Sequence, residues 1–299
     1  MRDKVPGSLG VHDGVFHADE VTACALLLEF GLIKLDHVVR TRDPKKLKKC
    51  EYVCDVGGVY DPSQKLFDHH QEQYLGKLSS AGMVLGYLLE KGLLKPKEYN
   101  YLHESFVFSV DEHDNGRVPE IWGYCAFSNV VSSFVSPQYG VNAKDQDRDF
   151  LKAVNFVSGY LSRVRYRFQY IQECRDVVIA TMTPRKECLL FEAGVPWTDT
   201  FFEMGGLHHP AKFVIMPVGP HWKLRGIPPN YEDRMKVRVP LPKEWAGLLD
   251  DELVRVSKIE GAVFCHKGRF VSVWKSREAA LRALEYTLQN AGNETNSIS

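Results

Sequence analysis

Short apolar runs alternate with longer segments of helical period through the first half of the chain. "SLGVHDG" reads as a buried strand that ends in a polar loop, and "DEVTACALLLEFG" as a helix with an acidic first turn, stopped by Gly31. "DHVVRTR", "EYVCDVGG" and "KLFDHHQ" are predicted strands, with the lysine-rich "DPKKLKKC" between the first two. "SSAGMVLGYLLEKGLL" and "EYNYLHESFVFSVDEHDNG" are predicted helices, the first with Ser79 or Ser80 as N-cap. A single long helix is predicted over 149–172, where the apolar period is sustained. Beyond it "DVVIATM", "ECLLFE", "KFVIMPV", "HWKLRGI", "MKVRVPL" and "GAVFCHKGRFVSVW" read as strand material, followed by a last helix, "SREAALRALEYTLQ". Strands alternating with helices predict an α/β fold: an N-terminal, mostly parallel sheet with helices on both faces over 1–148, a connecting helix over 149–172, and a smaller α+β domain over 173–290. The polar end, 291–299, is expected to be disordered.

Composition is consistent with that division. The chain has 299 residues, and with 44% apolar and 11% aromatic content each domain can fill a core. No apolar stretch approaches the roughly 18 residues of a membrane span, and the opening "MRDKVPGSLG" lacks the apolar centre of a secretory signal, so no membrane partner and a cytoplasmic location are expected. Seven scattered cysteines without a CxxC pair argue for reduced thiols and against a disulfide frame or a zinc ribbon. The formal charge is zero, but the halves differ: 17 Lys and Arg against 22 Asp and Glu up to residue 150, and 21 against 16 beyond it. An acidic part that holds cations, joined to a basic part that meets an anion, fits this asymmetry.

The candidate chemistry recurs at one kind of place. His12, His17 and Asp19 follow the first strand, Asp55 the third, and Asp68-His69-His70 the fourth, while Asp111, His113 and Asp114 close a helix. In open α/β sheets ligands bind beyond the carboxyl ends of the strands, so three of these clusters should face one crevice. Taken singly, each has a plainer reading: a helix-start charge, a polar loop, a turn residue before Gly57-Gly58. Together they are a mixed imidazole and carboxylate set without thiolate, which suits Mn²⁺, Mg²⁺ or Co²⁺ better than structural zinc. Cations would also offset the cost of so many adjacent acids.

"HDGVFHADE", "DVGG", "FDHHQ", "KLSSAG", "DEHDNG" and the later "SREAAL" together resemble the motifs of the DHH phosphoesterase superfamily, and within it the melanocyte-proliferating-gene (Myg) exonuclease family. The resemblance implies a two-domain, DHH-type fold with a dinuclear metal centre in its cleft. It implies His12, His17, Asp19, Asp55, His69 and Asp111 as metal ligands, with Asp55 bridging. Asp68 would support the histidines, and His70 would face the phosphate. "DEHD" offers two carboxylates for one role, and Asp111 is preferred to Asp114. His17 stands where most members have an aspartate, a change that favours Mn²⁺ or Co²⁺. The Gly-Gly-His pattern of the second domain is missing: Val273 and Trp274 stand where it would end. Arg225, His266 and Arg269 are then the candidate phosphate contacts.

The expected activity is hydrolysis of RNA or a short single-stranded nucleic acid, 3′ to 5′ by the resemblance, with two divalent cations, Mn²⁺ favoured. The expected partners are that oligonucleotide and, in a homo-oligomer, further copies of the chain. Two rival readings are a small-molecule phosphohydrolase acting on pyrophosphate, cyclic dinucleotides or short oligonucleotides, and a non-catalytic metal or ligand sensor.

Overall fold

The computed structural model describes residues 4–294. Two compact units divide at Phe168/Gln169. In the first, the chain runs β1 (Val5–Val11), α1 (Ala18–Glu29), β2 (Val38–Arg40), α2 (Pro44–Leu47), β3 (Cys50–Cys54), β4 (Tyr60–Asp61), β5 (Leu66–Phe67), α3 (Ser80–Glu90), α4 (Pro96–Leu102), α5 (Phe108–Asp114), α6 (Phe127–Ser132) and α7 (Ala143–Glu173), with the division inside α7. The strand order is β2-β1-β3-β5-β4. The first four strands are parallel and only the edge strand β4 is antiparallel.

The two faces of this sheet are covered unequally. One main core joins Leu9, Val11, Tyr52, Cys54 and Phe67 of the strands to Leu26 and Leu27 of α1, Val84 and Leu88 of α3, and Phe150 and Val157 of α7. On the other face α2 covers a small cluster of Leu47, Cys50, Val53 and Val56. Gly10 permits that approach, because a Cβ there would lie 2.7 Å from a methyl of Leu47. The helix predicted over "EYNYLHESFVFSVDEHDNG" is α4 and α5 joined by a π-helical turn, His103–Val107, a device that rotates the faces of a helix beyond it.

The second unit carries α8 (Arg175–Met182), β6 (Cys188–Leu190), α9 (Trp197–Glu203), β7 (Phe213–Val218), β8 (His221–Gly226), α10 (Asp250–Ser257), β9 (Ala262–Cys265), β10 (Val271–Trp274) and α11 (Arg277–Glu294). Its sheet, β6-β7-β8-β10-β9, is antiparallel except for the β6/β7 pair. Three expectations are corrected here. "DVVIATM" is helix, not strand: Val178 and Met182, four apart, are buried against Trp197 and Phe201, while Val177 is exposed. "MKVRVPL" forms no strand. Pro240 and Pro242 lack donors, and Arg238 braces the segment by donating to the carbonyls of Gly206, His209, Ala211 and Pro228. The segment expected to be disordered from 291 begins inside α11, which continues to Glu294. The rest of that expectation lies outside the described residues.

Candidate metal centre

β1, β3 and β5 are parallel neighbours, so the residues that follow them emerge at one edge of the sheet: His12 after Val11, Asp55 after Cys54, and Asp68-His69-His70 after Phe67. α1 starts at Ala18, which makes His17 its N-cap and sets Asp19 in its first turn. Asp114 is the last residue of α5. Asp55 sits in the left-handed region, φ 56°, with its N–H held by the carbonyl of Phe67 at 2.9 Å. That bond ties to β5 the residue whose carboxylate His12, His69 and His70 approach.

That carboxylate is shared. Its Oδ2 lies 3.2 Å from His12 Nε2, and its Oδ1 lies 3.3 Å from His69 Nε2 and 3.5 Å from His70 Nδ1. His69 Nε2 is also 3.2 Å from Asp114 Oδ2 and 3.8 Å from Asp19 Oδ2. Donor atoms gather in three groups, each within 4.8 Å: His12, His17, Glu20 and Asp55; Asp55, His69 and His70; His17, Asp19 and Asp114. Asp68 Oδ1 bonds His70 Nδ1 at 2.8 Å and accepts from the His70 N–H at 3.1 Å, and its Oδ2 accepts from Gly58 N–H at 2.6 Å, so it orients the ring and the glycine turn together. A cavity of about 580 Å³ opens here, lined by His12, His17, Asp55, Asp68, His70 and Arg42 among others.

Charge is unevenly tolerated. Burial, and next the Asp55 charge, push Asp19 above the ordinary carboxylate range; burial also pushes Glu20 well above it. Asp114 is raised to about 7 by burial and then by Asp19. Burial opposes a charged ring at His12 and His69, yet the Asp55 carboxylate and the other acids beside each ring outweigh it, giving about 10 and about 9. Those two rings in turn hold Asp55 well below its usual range in spite of its burial. Without cations the cluster retains protons in their place. Asp19 Oδ1, Asp55 Oδ1 and His69 Nε2 are buried without a properly formed hydrogen bond. Orphaned acceptors and an unused imidazole nitrogen, all hard oxygen or borderline nitrogen donors, fit divalent cations.

Comparison with known proteins places the chain in a family. The MYG1_exonuc family model, "Uncharacterised protein family (UPF0160)", matches residues 8–288. The MYG1 protein of Chlamydia muridarum is 50% identical over 289 residues, covering 97% of this chain and 99% of its own. This chain belongs to the MYG1 family. The human MYG1 exonuclease is 31% identical over 324 residues, spanning 95% of this chain and 86% of its own. Among solved structures, the manganese-bound exonuclease RecJ aligns over 96% of this chain and 92% of its own with 14% identity and a TM-score of 0.30.

Of the residues singled out in this MYG1 family member's sequence, His12, His17, Asp19, Asp55, Asp68, His69 and His70 come together. Asp111 does not join them. Its Oδ1 accepts from Ser79 N–H at 2.9 Å, Ser79 Oγ at 2.7 Å and Gly82 N–H at 3.1 Å, so it caps α3 from outside. Gly82 is required there, since a Cβ would lie 2.2 Å from Asp111 Oδ2. The carboxylate that meets His69 is Asp114. Ser80 donates to Asp19 Oδ2 at 2.8 Å, which ties the start of α3 to the site as well. Glu20 was missed: fully buried, it holds His12 Nε2 at 3.0 Å while accepting from the His17 N–H. Its position beside "HAD" was the available signal, hidden by an ordinary helix-dipole role. In the second unit Arg225 lies on β8, whereas His266 and Arg269 form the β9/β10 turn. There His266 Nδ1 accepts from Gly268 N–H at 2.9 Å, and Arg269 has φ 57° with Nη1 donating to the Leu241 carbonyl at 3.3 Å.

Proposed function

We propose that this chain is a metal-dependent phosphodiesterase that removes nucleotides from an end of single-stranded RNA or a short single-stranded nucleic acid, in the 3′-to-5′ direction. The observation that carries the reading is the Asp55 carboxylate, divided between two groups of donors. His12, His17 and Asp55 would hold one divalent cation, and Asp19, Asp55, His69 and Asp114 the other, Mn²⁺ being favoured by the nitrogen content of both sets. When bound, such a pair supplies a nucleophile at neutral pH and charge stabilisation for an in-line displacement at phosphorus. The protein's own contributions are positional. Glu20 orients His12, Asp68 fixes His70 toward the cavity, and the paired glycines after Asp55 let backbone approach the phosphate. His70, more than half exposed on a carboxylate tether, is suited to hydrogen-bond a phosphate oxygen. The exonuclease name of the human relative supports the substrate class.

The test incubates the protein and Mn²⁺ with end-labelled single-stranded RNA and DNA, and in parallel with pyrophosphate and an aryl phosphodiester. A ladder shortening from the 3′ end, abolished by chelation, is the expected result. Hydrolysis of pyrophosphate alone would replace this reading with a small-molecule one.

A further inference from the structure

β8 presents His221, Lys223 and Arg225 on one face of the second sheet, because alternate residues of a strand point the same way. Register extends that face sideways. Lys223 pairs with Val273 of β10 on one side and Met216 of β7 on the other, and Val273 pairs in turn with Phe264 of β9. Arg225 pairs with Val271 and Val214 in the next rung. Directly paired residues share a face, so Phe264, Val273 and Lys223 form one row, and Val271 and Arg225 lie beside it. At the β7 edge the face is closed by the apolar cluster of Val214, Met216, Val178 and Phe201. Toward β8, β10 and β9, Lys223, Arg225, Phe264, Val271 and Val273 are all partly exposed.

Among the described residues no ion pair or side-chain hydrogen bond engages Lys223 or Arg225, and His221 Nδ1 is buried without a partner. Burial lowers the Lys223 and Arg225 pKa values. The adjacent cations, Arg225 for the first and Arg234 for the second, lower them further. Half-desolvated, mutually repelling cations on an ordered strand cost stability, and an anion that lies across them relieves the cost. β-strand spacing puts the side chains two residues apart at about 6.5–7 Å, close to the separation of consecutive phosphates in an extended single strand. An aromatic ring in the same row supplies what a base needs and a free phosphate does not.

We propose that this face is a strand-binding site, with Lys223 and Arg225 on successive backbone phosphates and a base against Phe264. It deepens the nucleic-acid reading of the preceding section and rests on it for the class of ligand. It also gives Arg225 a partner, Lys223, that the motifs of the chain did not mark.

The experiment is fluorescence anisotropy of the full chain with a labelled single-stranded oligoribonucleotide of roughly 12 nucleotides. It is run in chelator, so that binding is read without turnover, at several salt concentrations. Lys223→Gln and Arg225→Gln should each weaken binding about fivefold or more, and each should lower the slope of log affinity against log salt by about 0.7, the loss of one phosphate contact to a single strand. Phe264→Leu, which keeps the position apolar, should weaken binding about fivefold or more with the slope unchanged. Circular dichroism of each variant separates loss of the site from loss of the fold, and Lys223→Arg should retain the slope. Unchanged affinity and slopes in folded Gln variants would overturn the proposal, as would absence of strand binding by the unmodified chain. Either outcome leaves the gel assay of hydrolysis intact, while a protein that binds strands through this face but hydrolyses none overturns the catalytic reading alone.

Discussion

Asp111 and Asp114 differ by three residues on one helix, and the structure assigns them opposite energetic signs. Asp111→Ala removes the acceptor of three donors, Ser79 N–H, Ser79 Oγ and Gly82 N–H, all buried at the start of α3. Loss of an N-cap and of a charge-assisted bond should cost about 2–3 kcal/mol, after allowance for the burial that already disfavours the Asp111 charge. For a unit of this size that lowers the melting temperature by roughly 4–12 °C. Asp114→Asn should do the reverse in metal-free protein. Its carboxyl is raised to about 7 by burial and Asp19, so above pH 7 the ionised form opposes folding. Removing that charge should stabilise the metal-free chain at pH 8 by at most about 4 kcal/mol, some three units at 1.36 kcal/mol each. The same variant should lose one Mn²⁺ equivalent and most turnover, whereas Asp111→Ala should keep its full metal content. Differential scanning calorimetry in chelator and calorimetric Mn²⁺ titration read the two effects separately. A metal deficit in Asp111→Ala with unchanged melting, together with full occupancy in Asp114→Asn, would reverse both assignments.

Asp55→Asn keeps size and a left-handed backbone while removing the shared charge, so turnover should fall at least about 10²-fold with one metal equivalent lost; metal analysis and steady-state rates test this, and an active, fully loaded variant refutes the bridge. Metal-free protein should lose stability as pH rises from about 7 to 10. The folded-state values of about 10 for His12 and about 9 for His69 lie above those of the unfolded chain, so their contribution is complete below the ordinary histidine range and vanishes as the folded values are passed, at up to about 1.4 kcal/mol per pH unit for each ring. Melting curves in chelator should show this slope and curves in saturating Mn²⁺ should not; a flat metal-free profile contradicts it. Exhaustive chelation should abolish hydrolysis, Mn²⁺ or Co²⁺ should restore it and Ca²⁺ should not, since Ca²⁺ prefers high-coordination oxygen cages over imidazole; activity that survives chelation removes the metals from the mechanism.

The parallel sheet and the clustering of His12, Asp55, Asp68, His69 and His70 at its edge were legible because both are written at strand ends. An apolar run stops at Val11, Cys54 or Phe67, and the next residue is a histidine or an aspartate. What local pattern could not convey was direction. Asp111 and Asp114 lie three apart on one helix, and it is the missing Cβ of buried Gly82 that leaves room for Asp111 against α3, while Asp114 meets His69. Glu20 was masked because a buried ligand-orienting acid and a helix-start acid have the same address. "DVVIATM" misled for a propensity reason: its β-branched residues favour strands, but the i, i+4 pair Val178 and Met182 found a helical partner in α9. "MKVRVPL" alternates as a strand should, yet its prolines and the reach of Arg238 satisfied the backbone by another route.

The left-handed backbone of Asp55 bears on how such a protein can change over generations. At φ 56° glycine, asparagine and aspartate are the residues admitted with least strain. Aspartate to asparagine is one of the smallest steps in the genetic code, and here it keeps the size of the side chain and the turn while removing the shared charge. Catalysis can therefore be lost at this position by a lineage that keeps the folded chain, the cavity and the strand-binding surface. Descendants that bind without cutting are one nucleotide away, and an asparagine at this position in a relative is the mark by which to recognise them.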